Sequence, residues 1–158
     1  MQSTGLDIGL IIVGSEGWAD KKTIEDLKDR DAKTDAILWL NYVSDPMLQS
    51  LYEGCAGTIM ASFGEGFGLP LIEAAHYGAS LIARDIPIFH EVCGNHAWYF
   101  QAQTATELAA ELQAWLHLYH SSTEPKSLGV EWQTWSQSTA QLVDSVIHNQ
   151  WYDAGVAR

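Results

Sequence analysis

The sequence predicts a single α/β domain, a parallel sheet with helices on both faces, and three observations carry that expectation. Short apolar runs alternate with amphipathic stretches along the chain, as a βαβ series requires. The run Cys55-Ala-Gly-Thr-Ile-Met-Ala61 is short, mostly apolar and ends at turn residues, in the manner of a buried parallel strand. A glycine-rich turn, Ser62-Phe-Gly-Glu-Gly-Phe-Gly68, then joins that run to a helix that opens at Leu69 and Pro70. At 158 residues the chain is long enough for one domain with a sizeable core.

Taken in order, strands are expected at Ile8 to Val13, Ile37 to Leu40, Thr58 to Ala61, Ser80 to Ala83 and Ala97 to Phe100. Helices are expected near Ala19 to Asp29, Ser44 to Tyr52, Leu69 to Tyr77, Ile88 to Val92, Ala105 to His120 and Gln133 to Tyr152. Ser44-Asp-Pro-Met47 and Thr104-Ala-Thr-Glu107 offer capping residues ahead of two of them, and Gly78 offers a stop after a third. No internal repeat or low-complexity segment interrupts the series. His120 to Ser127 reads as a polar connection within the domain.

The turn between the third strand and its helix carries the chemistry. Gly64, Gly66 and Gly68 allow positive φ and close approach of the backbone to a ligand. Pro70 suits the first helical turn, where its missing N–H would be unpaired in any case. A helix starting there directs unpaired N–H groups, and roughly half a unit of positive dipole charge, toward the strand's carboxyl end. Open parallel sheets bind phosphates at that end. Glu65 lies in the loop, and Glu73 lies about one turn into the helix, where its Cα–Cβ bond tilts back toward the cleft. Like charge keeps both from facing a phosphate, so each is expected to accept hydrogen bonds from hydroxyl groups, one set on a ribose and one on a second sugar. A duller reading stands beside this one: the glycines only shape the turn, and Glu73 only complements the helix dipole. Phe67 either packs under the loop or touches sugar.

The span from Glu65 to Glu73 reads as the E-x7-E element of retaining GT-B glycosyltransferases, and Glu65-Gly-Phe-Gly-Leu-Pro-Leu-Ile-Glu-Ala74 resembles the form found in glycosyl transferase group 1, or GT4. Leu10-Ile-Ile-Val-Gly14, Asp85-Ile-Pro-Ile-Phe-His-Glu-Val-Cys-Gly94 and Trp132-Gln-Thr-Trp-Ser136 resemble other segments of that family, so the likeness covers about residues 5 to 150. It implies a Rossmann-like domain, the C-terminal, donor-binding half of a GT-B fold. In that family the loop binds donor sugar and diphosphate, here through Gly66, Phe67, Gly68 and Leu69. Glu65 would support the sugar in catalysis, Glu73 would bind ribose, Gly14 would approach the donor, and Tyr42 and Val43 would lie by the base. The implied reaction moves a hexose from a nucleotide diphosphate to a glycan hydroxyl with retention of configuration, without an obligatory metal or other cofactor, in cell-surface polysaccharide synthesis. The flank from Ala83 to Glu91 resembles bacterial mannosyltransferases and makes GDP-mannose the first expected donor.

Two departures from the family are equally informative. Its basic pair, an arginine and a lysine ahead of the first strand of this domain, has no counterpart among the five residues before Leu6. Its N-terminal acceptor-binding domain, the implied partner, has no room here, so the chain alone is expected to transfer sugar poorly. The expected location is the cytoplasm, at the inner face of the membrane through the missing part.

Composition narrows the partners. Eight Lys and Arg against twenty Asp and Glu give a net charge of −12, which repels nucleic acid and anionic lipid at long range, so any phosphate site must be local. No run approaches the roughly 18 apolar residues of a membrane span. Cys55 and Cys93 read as buried free thiols, and the six histidines show no three-ligand spacing, so no metal is expected. Of the seven tryptophans, Trp115, Trp132, Trp135 and Trp151 are expected in the core or in packing against another domain, and Trp18 near the donor end; Arg84 and Asp85 could form a loop ion pair. Two rival functions remain open. One is a non-catalytic nucleotide-sugar-binding regulatory module. The other is a hydrolase whose carboxyls stand roughly 5 to 9.5 Å apart across a glycosidic bond, for which the phosphate-type turn is unnecessary.

Overall fold

The computed structural model describes residues 8–17, 20–33 and 36–148. Its elements run β1 (Leu10–Val13), α1 (Lys21–Lys33), β2 (Ile37–Leu40), α2 (Asp45–Gly54), β3 (Gly57–Met60), α3 (Leu69–His76), β4 (Ser80–Arg84), α4 (Pro87–Cys93), β5 (Ala97–Phe100), α5 (Ala105–His120) and α6 (Trp135–Ile147), with a 3-10 turn at Ser127–Gly129. All five expected strands are present, and each of the six helices lies where the periodicity put it, with ends moved by a few residues. Trp18, Ala19 and Trp151 lie outside the described residues, as does the far end of the last expected helix.

Among the described residues every strand pairing is parallel, divided between two sheets, β1–β2 and β3–β4–β5. The chain forms two compact units, 1–51 and 52–158. In the first, β1 and β2 pair from Leu10↔Ile37 to Val13↔Leu40, and Trp39 Nε1 donates to Gly14 O at 2.9 Å, fixing the turn after β1. None of its described residues is buried.

The second unit holds the core. β4 lies between β3 and β5 and is buried along all five residues, as a strand covered on both faces must be. Ile82 packs with Phe100, Ala102 and Trp115, and α5 covers this face through Leu108, Leu112 and Leu116. Leu81 and Ala83 alternate to the opposite face and are equally buried, and α3 lies in contact with β3 and β4. Gly57 has no substitute here, because a Cβ would come within 2.8 Å of the Trp115 ring.

Local signals explain where the helices start and stop. Thr104 accepts from the Glu107 N–H while Glu107 accepts from the Thr104 N–H, a full capping box for α5, as the sequence predicts. Thr134 and Gln137 do the same for α6. α3 ends in a Schellman motif: Gly78 (φ +79°) donates to Ala75 O, and Ala79 to Ala74 O.

Several expectations need correction. Arg84 is not in a loop ion pair with Asp85; it is the last, buried residue of β4, and Asp85 bonds instead to His90 and Gln101. Trp115 is buried, but Trp135 is 84% exposed and Trp132 42%, so of the two readings, core or domain packing, the core one fails for both. Both cysteines are free, Cys93 buried and Cys55 half-buried; burial pushes the Cys93 thiol up to about 11.

Candidate functional site

The loop after β3 and the start of α3 bring together five of the expected site residues, Glu65, Gly66, Phe67, Gly68 and Leu69, with Glu73 in the second turn of the helix. Gly68 occupies the N-cap in a left-handed conformation, φ +83° and ψ +38°, which glycine adopts without strain. A Cβ there would also meet Phe89 at 3.0 Å. Gly68 is therefore fixed twice, by conformation and by the core beneath it. Gly64 and Gly66 depart from expectation: neither has positive φ, and what marks them is open space, with nothing within 4 Å of a built Cβ. They keep the outer face of the loop free of side chains.

Backbone donors are available there. Among the described residues, no carbonyl accepts from the N–H of any residue from Gly64 to Leu69; the first bond of the turn is Leu71 N–H to Gly68 O at 3.0 Å. Pro70 has no N–H to leave unpaired. Such a set of donors at the positive end of a helix dipole suits an anion.

The two glutamates are held differently. Glu65 is exposed, and Ser62 Oγ donates to its Oε1 at 2.7 Å, steadying the loop acid over a span of three residues. Glu73 receives the hydroxyl of Tyr52, at 3.2 Å on Oε2. Tyr52 is buried near the end of α2, and burial, then the adjacent Glu73 carboxylate, push its phenol well above the ordinary value. The phenol therefore remains a proton donor to Glu73. The second carboxylate oxygen, Oε1, has no protein partner among the described residues. Tyr52 stacks on Tyr77 with ring centroids 6.0 Å apart, which limits how far it can swing. Phe67 is 53% exposed, so of its two open readings the structure supports the one in which the ring is accessible.

Gly14, Tyr42 and Val43 belong to the first unit. Gly14 has φ +139° and open space at its Cα, Tyr42 is 87% exposed, and Val43 is half-buried. Sequence reasoning missed Tyr52 as a partner of Glu73 and Arg84 as a buried cation. The first has no local signal, since 21 residues separate donor from acceptor. The second had one: Arg84 is the only Lys or Arg between Lys33 and Lys126. Among the described residues no group of three or more His, Cys, Asp and Glu side chains is arranged to hold a metal ion, and no helix is long and apolar enough to cross a membrane.

Comparison with known proteins bears on the family and the fold. The chain is 40% identical over 142 residues to the serotype-specific mannosyltransferase WbdA of Escherichia coli, which covers 90% of the chain but 17% of that protein. It is 35% identical over 86 residues to the O-antigen chain mannosyltransferase B of Escherichia coli, covering 54% of the chain and 22% of the relative. The chain thus spans only about a fifth of the length of the curated relatives it matches. Among solved structures, sucrose-phosphate synthase from Thermosynechococcus elongatus superposes with a TM-score of 0.68 at 19% identity, over 89% of this chain and 39% of that one. HepE of Anabaena in complex with UDP-glucose does so with a TM-score of 0.60 at 18% identity, over 90% and 38%. These likenesses bear on the fold alone, the α/β fold of one part of a GT-B glycosyltransferase. The family model for glycosyl transferases group 1 matches residues 2–129, a span that takes in both sheets, the loop and the whole of α3, and on that match the chain belongs to this family.

Proposed function

We propose that this chain is the donor-binding domain of a retaining hexosyltransferase that moves mannose from GDP-mannose to a glycan acceptor during cell-surface polysaccharide synthesis. The observation that carries the reading is the Gly68-capped start of α3, with unpaired N–H groups in the preceding loop and a glutamate on either side of it. The diphosphate lies against those N–H groups. Glu73, oriented by Tyr52, accepts from the ribose hydroxyls, and Glu65 faces the sugar and supports the positive charge that develops as the glycosidic bond to phosphate breaks. The leaving diphosphate is met by dipoles already in place, which is why no metal is required in this scheme. Mannose rests on the names of the curated relatives, which are mannosyltransferases of serotype-specific and O-antigen type. The acceptor is held by a separate N-terminal domain of the same protein, so the chain alone binds donor but turns it over slowly.

Calorimetric titration with GDP, UDP and ADP and their common sugars tests the proposal. Saturable binding of GDP and GDP-mannose, weakened at least tenfold in Glu73→Ala, is expected, a change of about 1.4 kcal/mol or more. Preference for UDP or ADP sugars would replace the mannosyl reading. Affinity unaffected by Glu73→Ala would remove the ribose role.

A further inference from the structure

Arg84 ends the central strand β4 and is buried, although it is the only Lys or Arg between Lys33 and Lys126. A buried cation normally requires a carboxylate. Among the described residues none lies within ion-pair distance of it, and Asp85, its neighbour in sequence, is held by Gln101 Nε2 at 2.7 Å and His90 Nε2 at 2.7 Å. The guanidinium instead donates from Nε to Ala61 O at 2.9 Å and from Nη1 to Ala102 O at 2.6 Å. Ala61 directly follows β3, and Ala102 lies two residues past β5. One side chain on the middle strand thereby ties the carboxyl ends of both flanking strands. The planar fork of arginine suits this task, since it presents donors in two fixed directions.

The same group reaches the loop. The Phe63 ring lies 3.9 Å from the guanidinium carbon, and Phe100 lies 5.2 Å away on the core side. Phe63 is 72% exposed and has the cation as its support. A loop with glycines at 64, 66 and 68 has wide conformational freedom, and ordering it at the moment of binding would weaken binding. Gly68 against Phe89 anchors its far end. Arg84, through Ala61 O and the Phe63 ring, anchors the near one.

We propose that Arg84 is a positioning residue for the glycine loop: its buried guanidinium, neutralised by no carboxylate, holds Ala61 and Phe63 so that residues 62–68 are ordered before a nucleoside diphosphate arrives. The ligand class rests on the donor-binding reading; the ordering of the loop does not. The uncompensated positive charge beneath the loop adds to the attraction for a diphosphate in a chain whose net charge is −12.

The test is backbone order by nitrogen-15 relaxation at Gly64, Gly66 and Gly68 in the free chain, together with GDP and guanosine titrations. Three variants are compared: Phe63→Ala, which alters only an exposed ring, Arg84→Lys, and Arg84→Met. The wild-type loop is expected to show order parameters near those of rigid backbone, about 0.85, falling below about 0.6 in Phe63→Ala and Arg84→Met, with Arg84→Lys between. GDP affinity falls about tenfold or more in the same order, a change of about 1.4 kcal/mol. Guanosine affinity changes less, because it has no phosphate to meet the loop. Wild-type order at Gly64 and Gly66 in both Phe63→Ala and Arg84→Lys would overturn the proposal, even if Arg84→Met proves too unstable to measure. Should the wild type bind no GDP while loop order still tracks Arg84 and Phe63, the positioning role stands and the donor reading falls.

Discussion

The two ends of β4 treat charge in opposite ways. At the amino end, beside Ser80, the buried Glu124 carboxylate is met by its own cation, Lys126, whose hydrogen bond holds it below the usual carboxylate range. The cavity there, of about 320 Å³, is lined by Glu53 as well as by Ser80, Tyr119, Glu124 and the half-exposed Lys126, so it carries two carboxylates against one cation. At the carboxyl end, Arg84 is buried with carbonyls and aromatic faces only, and the loop above it leaves N–H groups unpaired. Carboxylates predominate at one end, and a buried cation without a carboxylate partner among the described residues stands at the other. An anionic ligand has a reason to bind at the carboxyl end and none at the amino end, which is how parallel sheets generally place ligands.

The comparison can be broken from the middle. Phe100 is fully buried between Ile82 and Trp115 and lies under Arg84, so Phe100→Ala is expected to cost about 3–5 kcal/mol in denaturant unfolding and to loosen the carboxyl end along with the core. The next largest effects distinguish the ends. Gly68 and Gly78 both have positive φ, at +83° and +79°, but of the two only Gly68 would bring an added Cβ against a neighbour, Phe89 at 3.0 Å. Gly78→Ala should cost about 1–2 kcal/mol from conformation alone and leave nucleotide affinity intact. Gly68→Ala should cost more and also abolish nucleotide binding in the same titrations.

Acid titration separates the ends further. The carboxyl of Glu124, lowered from an ordinary value of 4.5 chiefly by Lys126, contributes stability that is present above 4.5 and is lost as pH falls through its lower folded-state value. Asp85, lowered from 3.8 by Gln101 and then His90, behaves the same way over a more acidic window, beginning below 3.8. Glu124→Gln should therefore flatten the loss of stability just below pH 4.5, and Asp85→Asn only the loss below pH 3.8; unfolding midpoints measured from pH 6 to pH 2 check both. The smallest effect is expected for Tyr52→Phe. Without its hydroxyl, Glu73 keeps its place on α3 but loses its orientation, so nucleotide affinity should fall by about threefold to tenfold while stability changes by about 1 kcal/mol.

Much of the frame was legible in the sequence because it rests on local signals. The Thr104 capping box, the Gly78 stop and the apolar run of β4 each report on residues within one or two turns of themselves, and each lies where it was expected. The E-x7-E glutamates were legible for the same reason, being eight residues apart on one turn and helix. What the sequence hid depends on contacts distant in the chain. Tyr52 meets Glu73 across 21 residues, and Arg84 meets Ala61 and Ala102 across 23 and 18. The ion pair expected of Arg84 and Asp85 failed because strand alternation and burial sent the first inward, while Gln101 and His90 held the second outside. Gly64 and Gly66 were read for positive φ, yet serve through the space they leave. The aromatic spacing of Trp132 and Trp135 suggested core or domain packing, and the exposure of Trp135 on α6 removes only the first of these.

The measurement that most directly tests the account is a nitrogen-15 chemical-shift titration of the chain with GDP-mannose. Shifts concentrated at the amides of Gly64, Gly66, Phe67, Gly68, Leu69 and Glu73, and lost in Glu73→Ala, are the predicted result. Shifts centred instead on Gly78, Ser80, Ser127 and Leu128, around the amino-end cavity, would contradict it.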